Sequence, residues 1–586
     1  MAEKSRELLL FLDTNRSRNI LRGMRNFVFF FLVVLPGVLW AGSSTPPPPR
    51  SITVPHGGVA SASYLASRVG AEIMQQGGNA ADAATAVAMA LAVVHPEAGN
   101  LGGGGFLLYR RNDGSVYALD FRETAPAAAT PNMYLDEQGN PIPEKSIIGG
   151  LAVGVPGTVR GFYQFHRKFG QLSWQKVLQP AIDLAEKGFI LDEYQVRLIK
   201  AVRKDLERFP SSRNEFLPDG KLPRVGQRFY RRNLARTLRT LALHGDAPFY
   251  EGEIAREIVK SVRMHGGIFT LEDMKQYRAI ERKPLVFPYR GYTIIAMPPP
   301  SSGGVVIQGM LQSLQLIDMT DYPLHSPEQI ALFTELEKRY FALRNHYLGD
   351  PDFVEMPLER ILSPELSRRF IQEIDVQHPT PSSRIQPEAL LFPEGEHTTH
   401  FSVVDPAGNA VSVTYTLNDI FGSRLVAGNT GVLLNDEMDD FASRPGSPNM
   451  FGLVQGKANR IEPGKRMLSS MSPLIVEKDG QLAGLWGAPG GPRIISEVLL
   501  VLLYLVDYHQ PLPRAVELGR FHHQWRPDSI YIEAAKFDPT TLTTLKEWGY
   551  RFIKRRKMGD VQAIWRSKDG WNIVSDPRYN GYPAGF

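Results

Sequence analysis

Two threonines stand at the end of a connector in the interior of this 586-residue chain. Residues 380–397 are polar, carry Pro381, Pro387, Pro393, Glu394 and Glu396, and end at His397. Thr398 and Thr399 follow at once, and an alternating strand begins with them, Phe401 and Val403 set against Ser402. Asp405-Pro406-Ala407-Gly408-Asn409 reads as a turn, and residues 410–416 as the return strand. A Thr at the first position of a hairpin strand, behind a flexible connector, is what an N-terminal nucleophile requires. A cut between His397 and Thr398 would give Thr398 a free α-amine beside its own hydroxyl. Such an amine titrates near about 7.7–8.0 and serves as a base close to neutral pH. It turns a weak hydroxyl nucleophile into a useful one. The same octapeptide also fits ordinary strand threonines, because Thr favours strands.

Other segments separate these alternatives. After the hairpin come Thr416-Leu417-Asn418, Asn435-Asp436-Glu437-Met438-Asp439-Asp440, Leu468-Ser469-Ser470-Met471 and Gly487-Ala488-Pro489-Gly490-Gly491-Pro492-Arg493. Before it stand Gly77-Gly78-Asn79, His95-Pro96-Glu97, Asp120-Phe121-Arg122-Glu123, Pro298-Pro299-Pro300-Ser301-Ser302 and Leu348-Gly349-Asp350-Pro351. In this order the set resembles the γ-glutamyltransferase (γ-glutamyltranspeptidase) family of N-terminal-nucleophile hydrolases, from about Gly57 to the C-terminus.

The resemblance implies a role for each motif. Thr398 would act twice: on the carbonyl of His397 during self-cleavage, then on a γ-glutamyl amide to form an acyl-enzyme. Thr416 would orient it, with Thr399 in the same network. The N–H groups of Gly490 and Gly491 would hold the oxyanion, aided by a helix N-terminus; the competing reading is a plain strand-to-helix turn. Arg122 would fork onto the donor's α-carboxylate, a geometry Lys cannot copy. Ser469 and Ser470 would add hydroxyl donors, Glu437 and Asp440 would take the α-ammonium, and Asn418 would add a polar contact. Taken singly, Asp439 and Asp440 also fit turn chemistry, and Arg122-Glu123 a surface ion pair. Residues 443–468 form a long loop suited to a lid, with Phe451 as its apolar tip. The implied donors are glutathione and related γ-glutamyl amides; the acceptors are water, amino acids or dipeptides. Two further readings stay open: a cephalosporin or glutaryl acylase on the same nucleophile, and a catalytically dead binding protein. Arg122, Asp440 and the lid argue against the first; Thr398, Thr416 and Gly490-Gly491 argue against the second. Met467 and Leu343 depart from common family residues and bear only on local packing.

The chain that must position these groups has an ordinary globular composition and no cysteine, which excludes disulfides and thiolate chemistry. Its net charge is +5, and +3 of that lies in the first 26 residues, so nothing calls for a nucleic-acid partner. A 14-residue apolar run, residues 27–40, follows Arg22 and Arg25 and ends at Ala41-Gly42-Ser43. It reads as a signal peptide over residues 1–43, with Met24 as an alternative start, and implies a periplasmic or extracellular protein that meets a membrane only through an uncleaved leader. The resemblance divides the rest into a large subunit, 44–397, and a small catalytic subunit, 398–586, paired as a heterodimer.

Periodicity predicts helices over 60–76, 80–94 (capped by Asn79), 234–243, 328–347 and 495–508. Ser173 caps a further helix; its Ser-x-x-Lys spacing lacks the Lys-Thr-Gly partner of penicillin-binding enzymes. Strands are expected at 116–121, 292–297 and 474–486, and Gly102–Gly105 as close backbone packing into a strand. Strands flanked by helices indicate a layered α/β protein. The αββα sandwich, two antiparallel sheets between helical layers, is implied by the resemblance. Adjacent His522 and His523 would point apart on a strand, and no metal or cofactor is expected.

Overall fold

The computed structural model describes residues 49–385 and 398–586. The leader read over residues 1–43 and the connector end at His397 lie outside the described residues.

Two seven-stranded sheets form the centre. One runs Ala584–Gly585, Gly58–Ser61, Thr399–Val404, Ala410–Thr416, Gly104–Arg110, Val116–Asp120, Ile280–Arg282. The other runs Ser51–Val54, Gly570–Ser575, Gln562–Ser567, Gln481–Gly487, Leu474–Lys478, Tyr292–Ala296, Leu285–Tyr289. Every pairing within them is antiparallel.

The two-residue side-chain period divides the first sheet between two cores. Leu107, Tyr109, Phe401, Val403, Val411 and Val413 face the helices Ala80–Val94, Thr158–Phe169 and Trp174–Lys187. Phe106, Leu108, Val404 and Ala410 turn the other way, into a core shared with Ile294, Leu474, Leu485, Trp486 and Ile573 of the second sheet. Pro327–Tyr347 and Arg493–Val506 cover that sheet's far side. This is the expected four-layer sandwich.

The Ala80–Val94 helix is buried at every residue, as an apolar pattern all round requires. Asn79 caps it by accepting from Ala81 and Asp82 N–H, and the Asp82 carboxylate accepts Asn79 N–H in return. Ser173 is likewise a helix cap, its Oγ accepting Lys176 N–H at 3.3 Å. One expected boundary is wrong. The helix read from residue 60 begins at Tyr64, because Gly58–Ser61 is a strand beside Thr399–Val404. Ala60 and Ser61 suit either state, and the pairing with a distant strand decides between them.

The glycine run is a packing device. A Cβ on Gly103 would lie 2.0 Å from Thr416 O, and one on Gly105 would lie 2.4 Å from Thr414 O. Only glycine lets this backbone approach the strand that ends at Thr416.

Candidate active site

The hairpin Thr399–Val404/Ala410–Thr416 sets Thr399 opposite Tyr415, which brings Thr398 level with Thr416 at the open end of the sheet. Asp405 closes the other end, its carboxylate accepting from Asn409 and from Ala80 N–H. Thr398 and Thr416 line one small cavity with Arg122, Asn418, Glu437, Asp440, Ser469, Ser470 and Gly491. Residues as far apart in sequence as Arg122 and Gly491 thus meet around the threonine. Of the site residues read from the sequence, Gly490 adjoins this lining and His397 falls outside the described residues.

Gly490 and Gly491 end the turn between Gln481–Gly487 and the Arg493–Val506 helix. Their φ values are 141° and 56°, a region L side chains avoid. Arg493 and Ile494 N–H bond back to the carbonyls of Gly490 and Gly491 at 3.3 and 3.2 Å. Neither glycine's own N–H donates to another protein group among the described residues. Two uncommitted N–H groups at a helix start, beside Thr398, can stabilise an oxyanion.

Arg122 is fully buried and stands two residues beyond the end of the Val116–Asp120 strand. Its Nη1 pairs with Glu437 and its Nη2 with Asp440, while Glu123 lies 3.6 Å away. The surface ion pair weighed for Arg122-Glu123 is therefore overturned: both residues are 0 % exposed. Glu437 and Asp440, expected to face a donor's ammonium, close on Arg122 together. Burial, then the charge of Glu437, drives Glu123 well above the carboxylate range, with Arg122 opposing. Burial also raises Glu437 and Asp440, and Arg122 pulls both back. Three carboxylates crowd one guanidinium, and Glu123, whose two oxygens make no hydrogen bond, is the one pushed well above the usual carboxylate range.

The acidic pair Asp439-Asp440 divides its work. Asp440 faces Arg122; Asp439 accepts from Ser146 Oγ at 2.7 Å and from Met450 N–H at 2.9 Å, anchoring the 443–468 loop. Its pKa is pushed up to about 7 by burial. Phe451 is buried and packs on Gly491, where a Cβ would meet its ring at 2.8 Å. Asn418 Nδ2 donates to Asp436 O at 3.1 Å, and Asn418 N–H to Thr416 Oγ1 at 2.8 Å. Ser469 Oγ accepts Met471 N–H at 3.1 Å.

Thr399 does not join the Thr398 network. Strand alternation sends it to the opposite face, where its buried Oγ1 has no hydrogen-bond partner among the described residues. His400 points between the sheets, at 2.8 Å from Thr414 Oγ1 and 3.1 Å from Ser402 Oγ, and burial lowers its pKa to about 3. His522 and His523 part company as their strand position predicts: His522 meets Ser496 Oγ at 2.6 Å, and His523 lies 3.4 Å from Asp528.

With this geometry, comparison with known proteins is direct. The gamma-glutamyltranspeptidase family profile matches residues 66–586. The chain belongs to the gamma-glutamyltranspeptidase family. It is 43% identical over 558 residues to a glutathione hydrolase proenzyme of Escherichia coli (strain K12), covering 93% of this chain and 96% of that protein. It is 46% identical over 531 residues to one of Pseudomonas sp. (strain A14), covering 90% and 91%. Among solved structures, a Bacillus halodurans cephalosporin acylase matches with a TM-score of 0.81 at 25% identity, over 94% of this chain and 99% of that one. A Helicobacter pylori gamma-glutamyltranspeptidase chain matches with a TM-score of 0.56 at 39% identity, over 57% and 97%. The family and the layered N-terminal-nucleophile fold read from the sequence both hold.

One charged lining residue of this gamma-glutamyltranspeptidase pocket escaped the sequence reading. Arg344, on the Pro327–Tyr347 helix, reaches the cavity. A lone arginine inside a helical pattern carries no signal; only its place four residues before the Leu348-Gly349-Asp350 motif could have drawn attention.

Proposed function

We propose that this chain is a proenzyme that cleaves itself before Thr398 and then transfers or hydrolyses the γ-glutamyl group of glutathione and related amides. The observation that carries this reading is the single cavity that joins Thr398 and Gly491 to Arg122, Asp440, Ser469 and Ser470. It unites a nucleophile, an oxyanion donor and groups of both signs for an amino-acid-like donor.

After cleavage, the Thr398 amine takes the Oγ proton as Oγ attacks the γ-carbonyl carbon. Gly490 and Gly491 N–H groups hold the resulting oxyanion. As the C–N bond breaks, the ammonium returns a proton to the leaving amine, and the γ-glutamyl ester of Thr398 remains. Water or an acceptor amine repeats the sequence in reverse and releases the acyl group.

The cavity of about 20 Å³ holds about one or two water molecules, so a donor enters by displacing the lid tip and the Arg122 ion pairs. A zwitterionic donor makes that exchange charge-neutral. Its ammonium takes over Asp440 and Glu437, and its carboxylate takes the released N–H groups of Arg122. A glutaryl donor, lacking the ammonium, completes only half of the swap and should turn over more slowly than a γ-glutamyl one, which separates this reading from the acylase alternative.

The test is turnover of a γ-glutamyl anilide with and without glycylglycine, beside N-terminal sequencing of the smaller fragment. γ-Glutamyl-glycylglycine and a fragment beginning Thr-Thr-His-Phe-Ser are expected. An uncut chain that still turns over the donor would refute the mechanism. We extend the proposal to export: the apolar leader directs the chain out of the cytoplasm and is removed near Ser43. Detection of peptides spanning residues 27–40 in the mature protein by mass spectrometry would refute that step.

A further inference from the structure

The pocket contains a second guanidinium whose surroundings differ from those of Arg122. Arg344 is buried, and each of its nitrogens has a neutral partner. Nε donates to Ser302 Oγ at 3.1 Å, Nη1 to Asn345 Oδ1 at 2.9 Å, and Nη2 to Ser470 Oγ at 3.1 Å. No carboxylate pairs with it among the described residues. Burial lowers its pKa to about 10, with Asp440 opposing and Arg122 adding to the fall, so it keeps its charge at neutral pH. A buried cation at the wall of a cavity whose hydrogen bonds all go to neutral groups favours an anion there.

Hydrogen-bond polarity sharpens the point. Arginine only donates, so Ser470 Oγ must accept from it. A serine hydroxyl has one proton. That of Ser302 is spent on Ser469 O at 2.7 Å. That of Ser470 has no protein acceptor among the described residues, and Ser470 lines the cavity. Arg344 therefore turns the Ser470 hydroxyl into a donor aimed at the ligand. Arg122, by contrast, is already surrounded by Glu123, Glu437 and Asp440, so it meets a carboxylate only as the donor's ammonium draws those acids off.

We propose that Arg344 is a positioning residue for the donor's α-carboxylate, acting through Ser470 and adding its positive charge to that of Arg122 on the carboxylate's side of the pocket. The proposal rests on the γ-glutamyl reading above.

The experiment compares wild type, Arg344→Gln, Arg344→Lys, Ser470→Ala and the Arg344→Gln/Ser470→Ala double variant. Each is assayed on γ-glutamyl, glutaryl and 4-aminobutyryl anilides; the last lacks the carboxylate. Wild-type turnover of the γ-glutamyl anilide tests the underlying reading by itself. Arg344→Gln should raise KM about tenfold for the two carboxylate-bearing donors, leave kcat within about threefold, and leave 4-aminobutyryl turnover unchanged. Arg344→Lys should fall between. In the Ser470→Ala background, Arg344→Gln should add less than about twofold. The proposal is overturned if Arg344→Gln weakens all three donors alike, or if its effect and that of Ser470→Ala simply multiply. It is equally overturned if neither Arg344 variant yields folded, processed protein, since Arg344 would then be a structural strut.

Discussion

Arg578 and Arg122 are both buried arginines among acids, and their surroundings differ. Arg578 grips Glu533 with two bonds, Nε to Oε1 at 2.7 Å and Nη2 to Oε2 at 2.5 Å, and meets Asp576 at 3.1 Å. Arg520 reaches the other oxygen of Asp576 at 2.6 Å and donates to the carbonyls of Val516 and Met558. Two cations face two anions, and of their side-chain polar atoms only Arg520 Nε lacks a hydrogen bond. At the pocket, Arg122 faces three carboxylates. Both oxygens of Glu123 and one of Glu437 lack hydrogen bonds, and Arg344 nearby has no acid of its own. The matched cluster holds the C-terminal strands to the Leu512–Glu517 helix. The mismatched one stands beside the nucleophile. Leaving buried charge incompletely matched is costly, and such cost is retained where a ligand completes the match.

Breaking the matched cluster should have the largest effect. Arg578→Gln leaves Glu533 buried without its main partner and Asp576 with Arg520 alone, a loss of about 3–5 kcal/mol. Soluble, processed protein should fall to a small fraction of wild type, measured by yield and by thermal melting. A well-folded variant with normal melting would show that the cluster carries no structural weight.

Breaking the mismatched cluster should act on catalysis. Arg122→Lys keeps the charge and loses the planar fork. A fall of about 10- to 100-fold in kcat/KM for γ-glutamyl donors is expected, with cleavage before Thr398 intact on a denaturing gel. Equal kinetics in the two proteins would remove Arg122 from donor recognition.

The same contrast bears on what the sequence discloses. Thr398 was legible because a polar connector, a strand-starting Thr and a turn lie within a few residues of one another. Arg122, Asp440 and the glycine pair were legible only as motifs in a fixed order, since nothing local says that residues 122, 440 and 491 share one cavity. The helix pattern gave Ala80–Val94 and Pro327–Tyr347 closely, whereas the layer order followed from the resemblance. Strand pairing over hundreds of residues, as between Gly58–Ser61 and Thr399–Val404, leaves no periodic trace. For the same reason Arg344, Arg520 and Arg578 read as ordinary arginines. Their significance lies in partners that the fold brings to them.

The smallest expected effect separates the clusters by the sign of their pH dependence. Burial, then Glu437, raises Glu123 in the folded protein, so its proton stays on while the unfolded chain releases its own. The stability associated with that proton is fully present below the unfolded pKa, about 4.3, and is lost as pH rises through the folded value. Glu123→Gln keeps the shape and removes the loss, so the variant should match wild type in acid and melt a few degrees higher at alkaline pH. Asp576 is the opposite case. Burial works to raise it, but Arg520, Arg578 and the N–H groups of Arg578 and Val561 outweigh burial and hold it low. Its contribution is present above the unfolded pKa, about 3.9, and is lost as pH falls through the folded value. Asp576→Asn should therefore melt below wild type at neutral pH, with the gap narrowing in acid. Melting curves from about pH 2 to 9 on the three proteins read both signs at once. If the two variants drift from wild type in the same direction, the distinction between a matched and a mismatched cluster is wrong.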